Sequence, residues 1–468
     1  MKQLYALALG LCISFGASAQ QMYIDDVFSS VSVQSDVQYG TDITENGDEV
    51  QLFMDIYTPD GDSRSNRPAL LMAHQGSFIP EYGDKTDAYL VDYANAMAKK
   101  GFVVISMNYR EGWGFSPVNS AEQNAREILP AAWRAIQDYK TAMRYLRKSV
   151  AEFGNPYGIS SELIFGGGFG AGGYLPMNAE FIDNPVELGI EELQQKNVFG
   201  QPTGQSYIDS TNADLDGIAH LNGDHANYSY RTPLVINISG ATPTLKLLDV
   251  QAKTPYLVSV HSENDQATPF RTDIVRAAGV FAVIEVSGSY DIHAKLKEQG
   301  KNTIFENEDR DGYPQIKVSE DTEQDNAYKR GLLAFAGEGY MWSVNGEDTY
   351  EPEYQDAYTT HMDSVVTFTA YRIERVLQDL TNSVYDNNPA LANDLDIYPN
   401  PAKEWVAVES RSGKFNIEKV EVIDLAGKTV LNAELSNNRV NISELNDGIY
   451  MLKVFSNEGY YTQRLVKN

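Results

Sequence analysis

Residues 164–173 decide the fold of this chain, and their sequence is Ile-Phe-Gly-Gly-Gly-Phe-Gly-Ala-Gly-Gly. An apolar, strand-like run enters a tight Gly-x-Gly-x-Gly turn centred on Gly170, and small residues then open a helix. This order of strand, sharp turn and helix is typical of a nucleophile elbow, which presents its central residue at the top of a sheet. That central residue is normally a serine. Glycine there predicts an elbow that has kept its shape and lost its attacking hydroxyl.

The segments around the elbow predict an α/β protein. Residues 31–59 alternate like a hairpin, with the turn at 46–48. Short continuous apolar runs predict buried strands, and longer runs at helical spacing predict helices. The predicted strands are 68–73, 102–107, 163–165 and 255–260, and the predicted helices are 87–100 and 133–153. Alternating strands and helices indicate a mostly parallel sheet covered on both faces, with sites at the carboxyl ends of its strands.

Composition and the first residues restrict the function classes. Lys2, the apolar run 4–15 and Ala17-Ser18-Ala19 predict a signal peptide over residues 1–19, and the run is too short for a spanning helix. Cys12 is the only cysteine, so the mature chain can have no disulfide and no thiolate site. The formal net charge of −28 disfavours nucleic acid as a partner. We therefore expect an exported protein without a transmembrane segment.

The last quarter of the chain has a different pattern. Residues 381–394 are rich in Asn, Asp, Pro and Ala, which predicts a linker. Residues 395–468 then show short alternating strands, clearest at 420–424 and 448–454, which predict a small all-β sandwich. The acidic segment 306–325 is predicted to be a surface insertion.

Four motifs in the first 380 residues carry a resemblance to a known fold. They are the elbow, His74-Gln75-Gly76-Ser77-Phe78, Asn108-Tyr109-Arg110, and residues 260–265 with Thr268-Pro269. Together they resemble the α/β-hydrolase fold, specifically secreted carboxylesterase-like lipases of Bacteroidetes. The resemblance implies an α/β-hydrolase domain over residues 20–380.

The same resemblance implies roles for individual positions. The triad positions are Gly170 for the nucleophile, Asp265 for the acid and Tyr340 for the histidine. The oxyanion hole is expected from the backbone at Gly76 or Ser77 and at Ala171. A tyrosine with a pKa of about 10 cannot serve as a ready base at neutral pH. Two of the three catalytic groups are therefore expected to be absent.

Other residues could replace the missing groups. A hydroxyl at Ser77 or Ser262 could be a displaced nucleophile, but neither lies on an elbow, and ordinary loop roles are favoured. The remaining histidines are His74, His220, His225, His293 and His361, besides the strand residue His261. His293 and His361 could supply an imidazole, and His220 with His225 could hold a metal, but no ligand spacing supports a metal site. We expect no metal and no cofactor, since the glycine run also fails the dinucleotide pattern.

The final domain carries the most specific motifs. They are Ile397-Tyr398-Pro399-Asn400-Pro401-Ala402, residues 422–428, residues 445–450 and Arg464-Leu465-Val466-Lys467-Asn468. Over its whole length this segment resembles the type A sorting domain of type IX secretion cargo. The resemblance implies a partner in the type IX machinery and export across the outer membrane. A carbohydrate-binding or adhesion sandwich is the alternative.

These observations predict an exported, catalytically degenerate pseudo-esterase. It would act by binding a small ester-like ligand or a surface partner through the retained pocket. The first alternative is an active serine ester hydrolase with a nucleophile and base not identified from the sequence. The second alternative is a surface structural protein without a ligand.

Overall fold

The structure is a computed structural model of the 468-residue chain. It describes residues 21–114, 116, 118–182, 185–208, 225–249, 254–306, 331–335, 352–383, 394–414, 417–423, 429–433, 438–456 and 459–468. The predicted signal peptide, Tyr340, His220 and nearly all of the insertion 306–325 lie outside these residues. The chain divides into two compact units, Met1–Glu374 and Arg375–Asn468, each with its own core.

The first unit is built on one large sheet. Its strands are β1 (Val31–Ile43), β2 (Glu49–Pro59), β3 (Arg67–Ala73), β4 (Val103–Met107), β5 (Ile159–Phe169), β6 (Gln194–Lys196), β7 (Pro202–Ser206), β8 (Leu234–Ile238), β9 (Tyr256–Ser262), β10 (Asp273–Ala277), β11 (Phe281–Val286) and β12 (Leu332–Phe335). Eight of these strands form the large sheet, in which they lie side by side in the order β1-β2-β4-β3-β5-β8-β9-β12. β1 pairs antiparallel with β2 and β2 antiparallel with β4, whereas all later neighbours pair in parallel. This is the mostly parallel sheet of an α/β-hydrolase fold, as the sequence predicts.

The described α-helices lie in the first unit, except that the last one continues past Glu374 into the second. They are α1 (Ala88–Lys99), α2 (Ala121–Glu152), α3 (Ala171–Phe181), α4 (Lys246–Asp249), α5 (Ser289–Glu298) and α6 (Pro352–Ser383). The prediction that α2 begins at residue 133 is wrong, because a capping box fixes its start much earlier. Gln123 N–H donates to Ser120 Oγ at 3.2 Å, and Ser120 N–H donates to Gln123 Oε1 at 2.8 Å.

Strand β5 is longer than its predicted range of 163–165, because the glycines of the elbow segment belong to the strand. A Cβ on Gly166 would lie 1.8 Å from Tyr139 Oη, and one on Gly168 would lie 2.2 Å from the carbonyl oxygen of Gly172. Helices α2 and α3 thus approach the strand so closely that side chains are excluded there. The glycine run packs the elbow against both helices.

The second unit is all β. Its strands are β13 (Leu395–Tyr398), β14 (Trp405–Ser410), β15 (Ile417–Ile423), β16 (Thr429–Ala433), β17 (Arg439–Asn441), β18 (Gly448–Ser456) and β19 (Gly459–Lys467). They form the antiparallel sheets β13-β14-β17 and β16-β15-β18-β19. Val406 and Val408 of the first sheet share one core with Val420 and Val422 of the second, which gives the predicted sandwich. Helix α6 extends to Ser383, into the segment predicted as a linker, and residues 384–393 lie outside the described part of the chain.

Candidate functional site

The elbow has the backbone geometry that its sequence predicts. β5 ends at Phe169, Gly170 has φ 51° and ψ −117°, and α3 begins at Ala171. The Gly170 N–H donates to the carbonyl oxygen of Ile238 at 2.8 Å, which ties the turn to the end of β8. A residue with a side chain is strained in this conformation, whereas glycine adopts it at little steric cost. The elbow therefore has the predicted turn, with no side chain at its central residue.

The start of α3 sits directly on the end of β3. A Cβ on Gly172 would lie 2.2 Å from the carbonyl oxygen of Ala73, so only glycine allows this approach. The approach brings the first turn of α3 to the loop that follows Ala73. A helix N-terminus offers backbone N–H groups and a partial positive charge to an oxygen atom nearby.

The loop after β3 has an unusual backbone. Gly76, Ser77 and Phe78 have φ values of 138°, 52° and 59° in succession. Side-chain contacts hold this conformation: Ala278 N–H donates to Ser77 Oγ at 3.0 Å, and Trp113 Nε1 donates to the Ser77 carbonyl oxygen at 2.8 Å. Successive N–H groups in such a conformation can surround a negatively polarised oxygen.

The three residues predicted for the oxyanion hole line one cavity. Gly76 and Ser77 reach it from the loop after β3, and Ala171 reaches it from the start of α3. Within the described residues, no hydrogen bond is recorded for the N–H groups of Ser77 and Ala171. Both groups can therefore bind a carbonyl oxygen from a ligand.

The carboxyl group of Glu111 contacts the loop that follows β3. Glu81 N–H donates to Glu111 Oε2 at 3.2 Å, and a Cβ on Gly76 would lie 3.1 Å from Glu111 Oε1. Burial raises the pKa of Glu111 to about 8, and the negative charges of Asp84 and Asp87 raise it as well. Sequence reasoning missed this carboxyl, because nothing in its local sequence indicates burial.

Gln75 occupies the space above the elbow. A Cβ on Gly170 would lie 3.0 Å from Gln75 Cβ and 3.6 Å from Gln75 Oε1. Carbon atoms in contact normally approach to about 3.5–4.0 Å, so a side chain at position 170 would press on Gln75. The predicted loop motif 74–78 contains Gln75, but its contact with Gly170 was not foreseen.

Asp265 lies at the end of the neighbouring strand β9 and lines the same cavity. Its Oδ1 accepts the N–H groups of Ala267 at 2.8 Å and Thr268 at 3.0 Å. Its Oδ2 lies 3.7 Å from His261 Nε2, beyond hydrogen-bond distance. The predicted acid position therefore meets the elbow at one cavity, with its carboxylate engaged in its own loop.

His261 is not available as a base. Its Nε2 lies 3.0 Å from the Thr268 carbonyl oxygen, which can only accept, so Nε2 carries the hydrogen. Its Nδ1 then accepts from Ser289 Oγ at 2.7 Å. Burial of the ring lowers its pKa, although the charge of Asp265 opposes that shift. The neutral ring holds the end of β9 to the start of α5.

The other described histidines are also held away from the cavity. His74 Nδ1 donates to the Gln75 carbonyl oxygen at 2.5 Å and its ring stacks on Tyr109 at 4.3 Å, while burial lowers its pKa. His293 bonds Ser259 Oγ at 2.9 Å. His361 packs against Phe335 with ring centroids 4.4 Å apart, and burial lowers its pKa to about 4. No histidine among the described residues lines the cavity.

Of the two histidines considered for a metal, the structure describes only His225. His225 Nε2 bonds the Tyr39 carbonyl oxygen at 3.1 Å, and its Nδ1 lies 3.3 Å from Lys148 Nζ. The part of the chain that the structure describes holds no group of three or more His, Cys, Asp or Glu side chains suited to a metal ion.

The cavity itself is large enough for a small organic ligand. Its volume is about 890 Å³, and apolar and aromatic side chains such as Phe78, Trp133 and Tyr174 form much of its wall. Five of the described lining residues carry charge: the acidic residues Glu81, Asp84, Asp87 and Asp265, and the basic residue Arg276. Apolar walls with a few directed polar groups are typical of small-molecule sites.

Comparison with known families agrees with this architecture. The profile of the family described as BD-FAE matches residues 54–272, which include the elbow and Asp265. These residues form a BD-FAE esterase-like domain. The profile described as a secretion system C-terminal sorting domain matches residues 396–468. The chain thus joins a BD-FAE domain to a sorting domain that directs type IX export to the cell surface or beyond, and no described helix is long and apolar enough to cross a membrane.

Solved structures are similar to this chain at low identity. Esterase 2 of Thermogutta terrifontis, phosphoramylated by tabun, is 14% identical with a TM-score of 0.38, over 73% of this chain and 94% of that one. The bifunctional GH43-CE protein of Bacteroides eggerthii is 17% identical with a TM-score of 0.38, over 74% of this chain and 36% of that one. No curated protein matches the chain. No functional assignment follows from likeness at this level.

Proposed function

We propose that the BD-FAE domain is an exported pseudo-esterase, which binds a small ester-like molecule in the elbow cavity and does not hydrolyse it. One observation carries the proposal. Gly170 stands at the nucleophile position of an elbow whose backbone, with φ 51° and ψ −117°, is otherwise complete. Acyl transfer by this fold needs a hydroxyl at that point, and glycine offers none.

The displaced hydroxyls considered from the sequence do not replace it. Ser77 Oγ accepts a backbone hydrogen bond from Ala278, and Ser262 Oγ accepts one from Asn264 at 3.2 Å in a fully buried position. Ser239 lines the cavity with a buried Oγ that has no hydrogen-bond partner among the described residues, and no described histidine lines the cavity to act as its base. A serine hydroxyl without a base is a weak nucleophile.

The base is the second gap. The resemblance assigns this position to Tyr340, which lies outside the described residues, and every described histidine is engaged away from the cavity. Asp265 alone cannot replace an imidazole, because its carboxylate is held by the N–H groups of Ala267 and Thr268. In a triad the acid orients the histidine and does not itself take the proton from the nucleophile.

The groups that remain are suited to binding. Ser77 and Ala171 line a cavity of about 890 Å³ with mostly apolar walls, and no described residue accepts a hydrogen bond from their N–H groups. Backbone donors of this kind bind a ground-state carbonyl oxygen as well as a developing oxyanion, although more weakly. Loss of the nucleophile therefore leaves a carbonyl-binding pocket.

The test is direct. Purified protein lacking residues 1–19 should hydrolyse p-nitrophenyl acetate and p-nitrophenyl butyrate no faster than buffer, and a fluorophosphonate probe should not label it. Covalent labelling would overturn the proposal, and mass spectrometry of the labelled peptide would then identify the active serine. A matched control is an active esterase of similar fold, treated with the same probe in the same buffer.

A further inference from the structure

We propose that Gln75 holds the ligand at the centre of this cavity. Its side-chain amide binds the carbonyl-containing group of an intact, uncharged ester or amide, while its Cβ keeps the nucleophile position closed. The proposal rests on the proposed function, since it names the residue and the ligand class through which binding without hydrolysis works.

The first support is steric. Two features disfavour a side chain at position 170. The backbone there has φ 51°, which strains any residue except glycine. In addition, a Cβ at this position would lie 3.0 Å from the Cβ of Gln75. The Gln75 amide lies alongside, with Oε1 3.6 Å from that point. The volume that a serine side chain would occupy thus adjoins a carboxamide.

The second support is the rigidity of the Gln75 backbone. Gln75 N–H donates to Tyr89 Oη at 2.9 Å, and Tyr89 Oη donates to Asp87 Oδ2 at 3.0 Å. The Gln75 carbonyl oxygen accepts from His74 Nδ1, and a Cβ on Gly83 would lie only 2.0 Å from that oxygen. With both peptide groups held, Gln75 cannot move away from the elbow without breaking the loop.

The third support is the chemistry of the amide. A carboxamide has two N–H donors and one acceptor oxygen, so it can bind a carbonyl oxygen or a ligand N–H without charge. Gln75, Ser77 and Ala171 line the same cavity, and the last two each have a backbone N–H group as a further donor. The three groups together can hold a planar carbonyl group in one orientation.

The charges around the cavity select against a carboxylate. Asp84, Asp87 and Asp265 line the cavity, and Arg276 is the sole cation among its described lining residues. A ligand carboxylate would meet like charges, which weakens binding. The intact ester or amide is therefore favoured over the acid that hydrolysis would release.

The steric half of the proposal is tested by thermal unfolding. Gly170→Ala is introduced into the wild type, Gln75→Ala and Gln75→Gly. Backbone strain is the same in all three backgrounds, whereas only Gln75→Gly removes the Cβ. We expect the loss of Tm to be about 3 °C smaller in Gln75→Gly than in the other two. Equal losses in all three would overturn the steric role.

The binding half uses butyranilide, an amide that resembles a butyrate ester, measured by titration calorimetry on the protein lacking residues 1–19. Gln75→Ala should weaken binding about 3- to 10-fold, as expected for one neutral hydrogen bond. Gln38→Ala is the matched control and should leave binding unchanged, because Gln38 hydrogen-bonds Gly40 and Thr41 and is not among the residues that line the cavity. Butyrate should bind the wild type about tenfold more weakly than butyranilide. Unchanged affinity in Gln75→Ala, or butyrate binding as tight as butyranilide, would overturn the proposal.

Failure of the proposed function gives different results. Hydrolysis of p-nitrophenyl butyrate by the wild type would overturn binding without hydrolysis, while the unfolding series would still report on Gln75 and Gly170. No binding of butyranilide by an inert wild type would overturn both. Wild-type binding that Gln75→Ala leaves intact would overturn the role of Gln75 alone.

Discussion

The elbow after β5 and the acid loop after β9 lie at the same edge of the sheet and line one cavity, yet they have had opposite fates. The elbow has a sharp strand-to-helix turn with glycine at its central residue. The acid loop keeps its carboxylate, but Asp265 uses it to accept the N–H groups of Ala267 and Thr268. The elbow thus contributes a backbone conformation without a side chain, whereas the loop after β9 contributes a carboxylate that binds two backbone N–H groups.

The difference shows which parts of a catalytic site have a structural role. Removing Asp265 would leave two backbone N–H groups without their acceptor, so the residue is useful even without catalysis. A serine at 170 would make no comparable contribution and would strain the backbone. Under the proposed function, Asp265 is kept because it stabilises its loop, whereas a serine at position 170 would serve only catalysis.

The largest effect is expected from supplying the nucleophile and the base that the proposed function holds to be missing. Gln75→Gly, Gly170→Ser and Tyr340→His together should hydrolyse p-nitrophenyl butyrate about 10²-fold faster than buffer or more, since a positioned general base typically contributes that much. The pair Gly170→Ser with Tyr340→His should be far slower, because Gln75 still presses on position 170. Adding Asp265→Asn to the rebuilt variant should abolish the gain. Activity from Gly170→Ser alone would show that another histidine already serves as base.

The next effect concerns Glu111, a carboxyl that the fold buries at a cost. Its pKa in the folded protein is about 8, against an ordinary value of 4.5. Between these two pH values the carboxyl is neutral in the folded protein and ionised in the unfolded chain. Its contribution to stability is thus fully present below pH 4.5 and is lost as pH rises toward 8. Glu111→Gln should raise the free energy of unfolding by about 3 kcal/mol at pH 8 and by little at pH 4.5. Urea unfolding at both pH values measures this, with the exposed Glu81→Gln as control, and equal gains at both would contradict it.

A smaller effect is expected at the acid loop. Asp265→Ala should lower the free energy of unfolding by about 2 kcal/mol, because two backbone N–H groups lose their acceptor. Asp265→Asn should cost less, since its amide oxygen can still accept. Urea unfolding measures both variants. If Asp265→Ala were neutral, the structural reason for retaining the acid would be wrong.

The smallest effect is expected at the elbow. Gly170→Ser should cost about 1 kcal/mol of backbone strain, with a further loss from the contact with Gln75. Gly154→Ser is the matched control, because Gly154 has φ 72° and no atom within 4 Å of an added Cβ. Thermal unfolding should show the larger loss for Gly170→Ser. An equal loss of Tm in both variants would show that the contact with Gln75 contributes nothing to the cost at position 170.

Much of this organisation could be predicted from the sequence. The apolar strands at 68–73 and 102–107 are continuous because parallel strands are buried on both faces, and the structure has them as β3 and β4. The elbow could be recognised from local spacing alone. Motifs of this kind depend on neighbouring residues, which a single sequence displays.

What could not be predicted depends on contacts between distant residues. β8 was missed, since Asn237 interrupts its apolar run, yet Asn237 is buried because its amide bonds Gly240, Ser259 and Ser289. The contact between Gln75 and Gly170 joins segments far apart in the chain. The engagement of His261 with Ser289 and Thr268 is likewise visible only in three dimensions.

The contact of Gln75 with Gly170 also has an evolutionary consequence. A serine that arose at position 170 would meet Gln75, lose stability and gain no turnover, so selection would remove it before a histidine could follow. A glycine that arose at position 75 would gain nothing while position 170 lacked a hydroxyl. Each of these substitutions would increase hydrolysis only if the others were already present. Under the proposed function, the side chain of Gln75 would therefore make hydrolytic activity hard to regain by single substitutions.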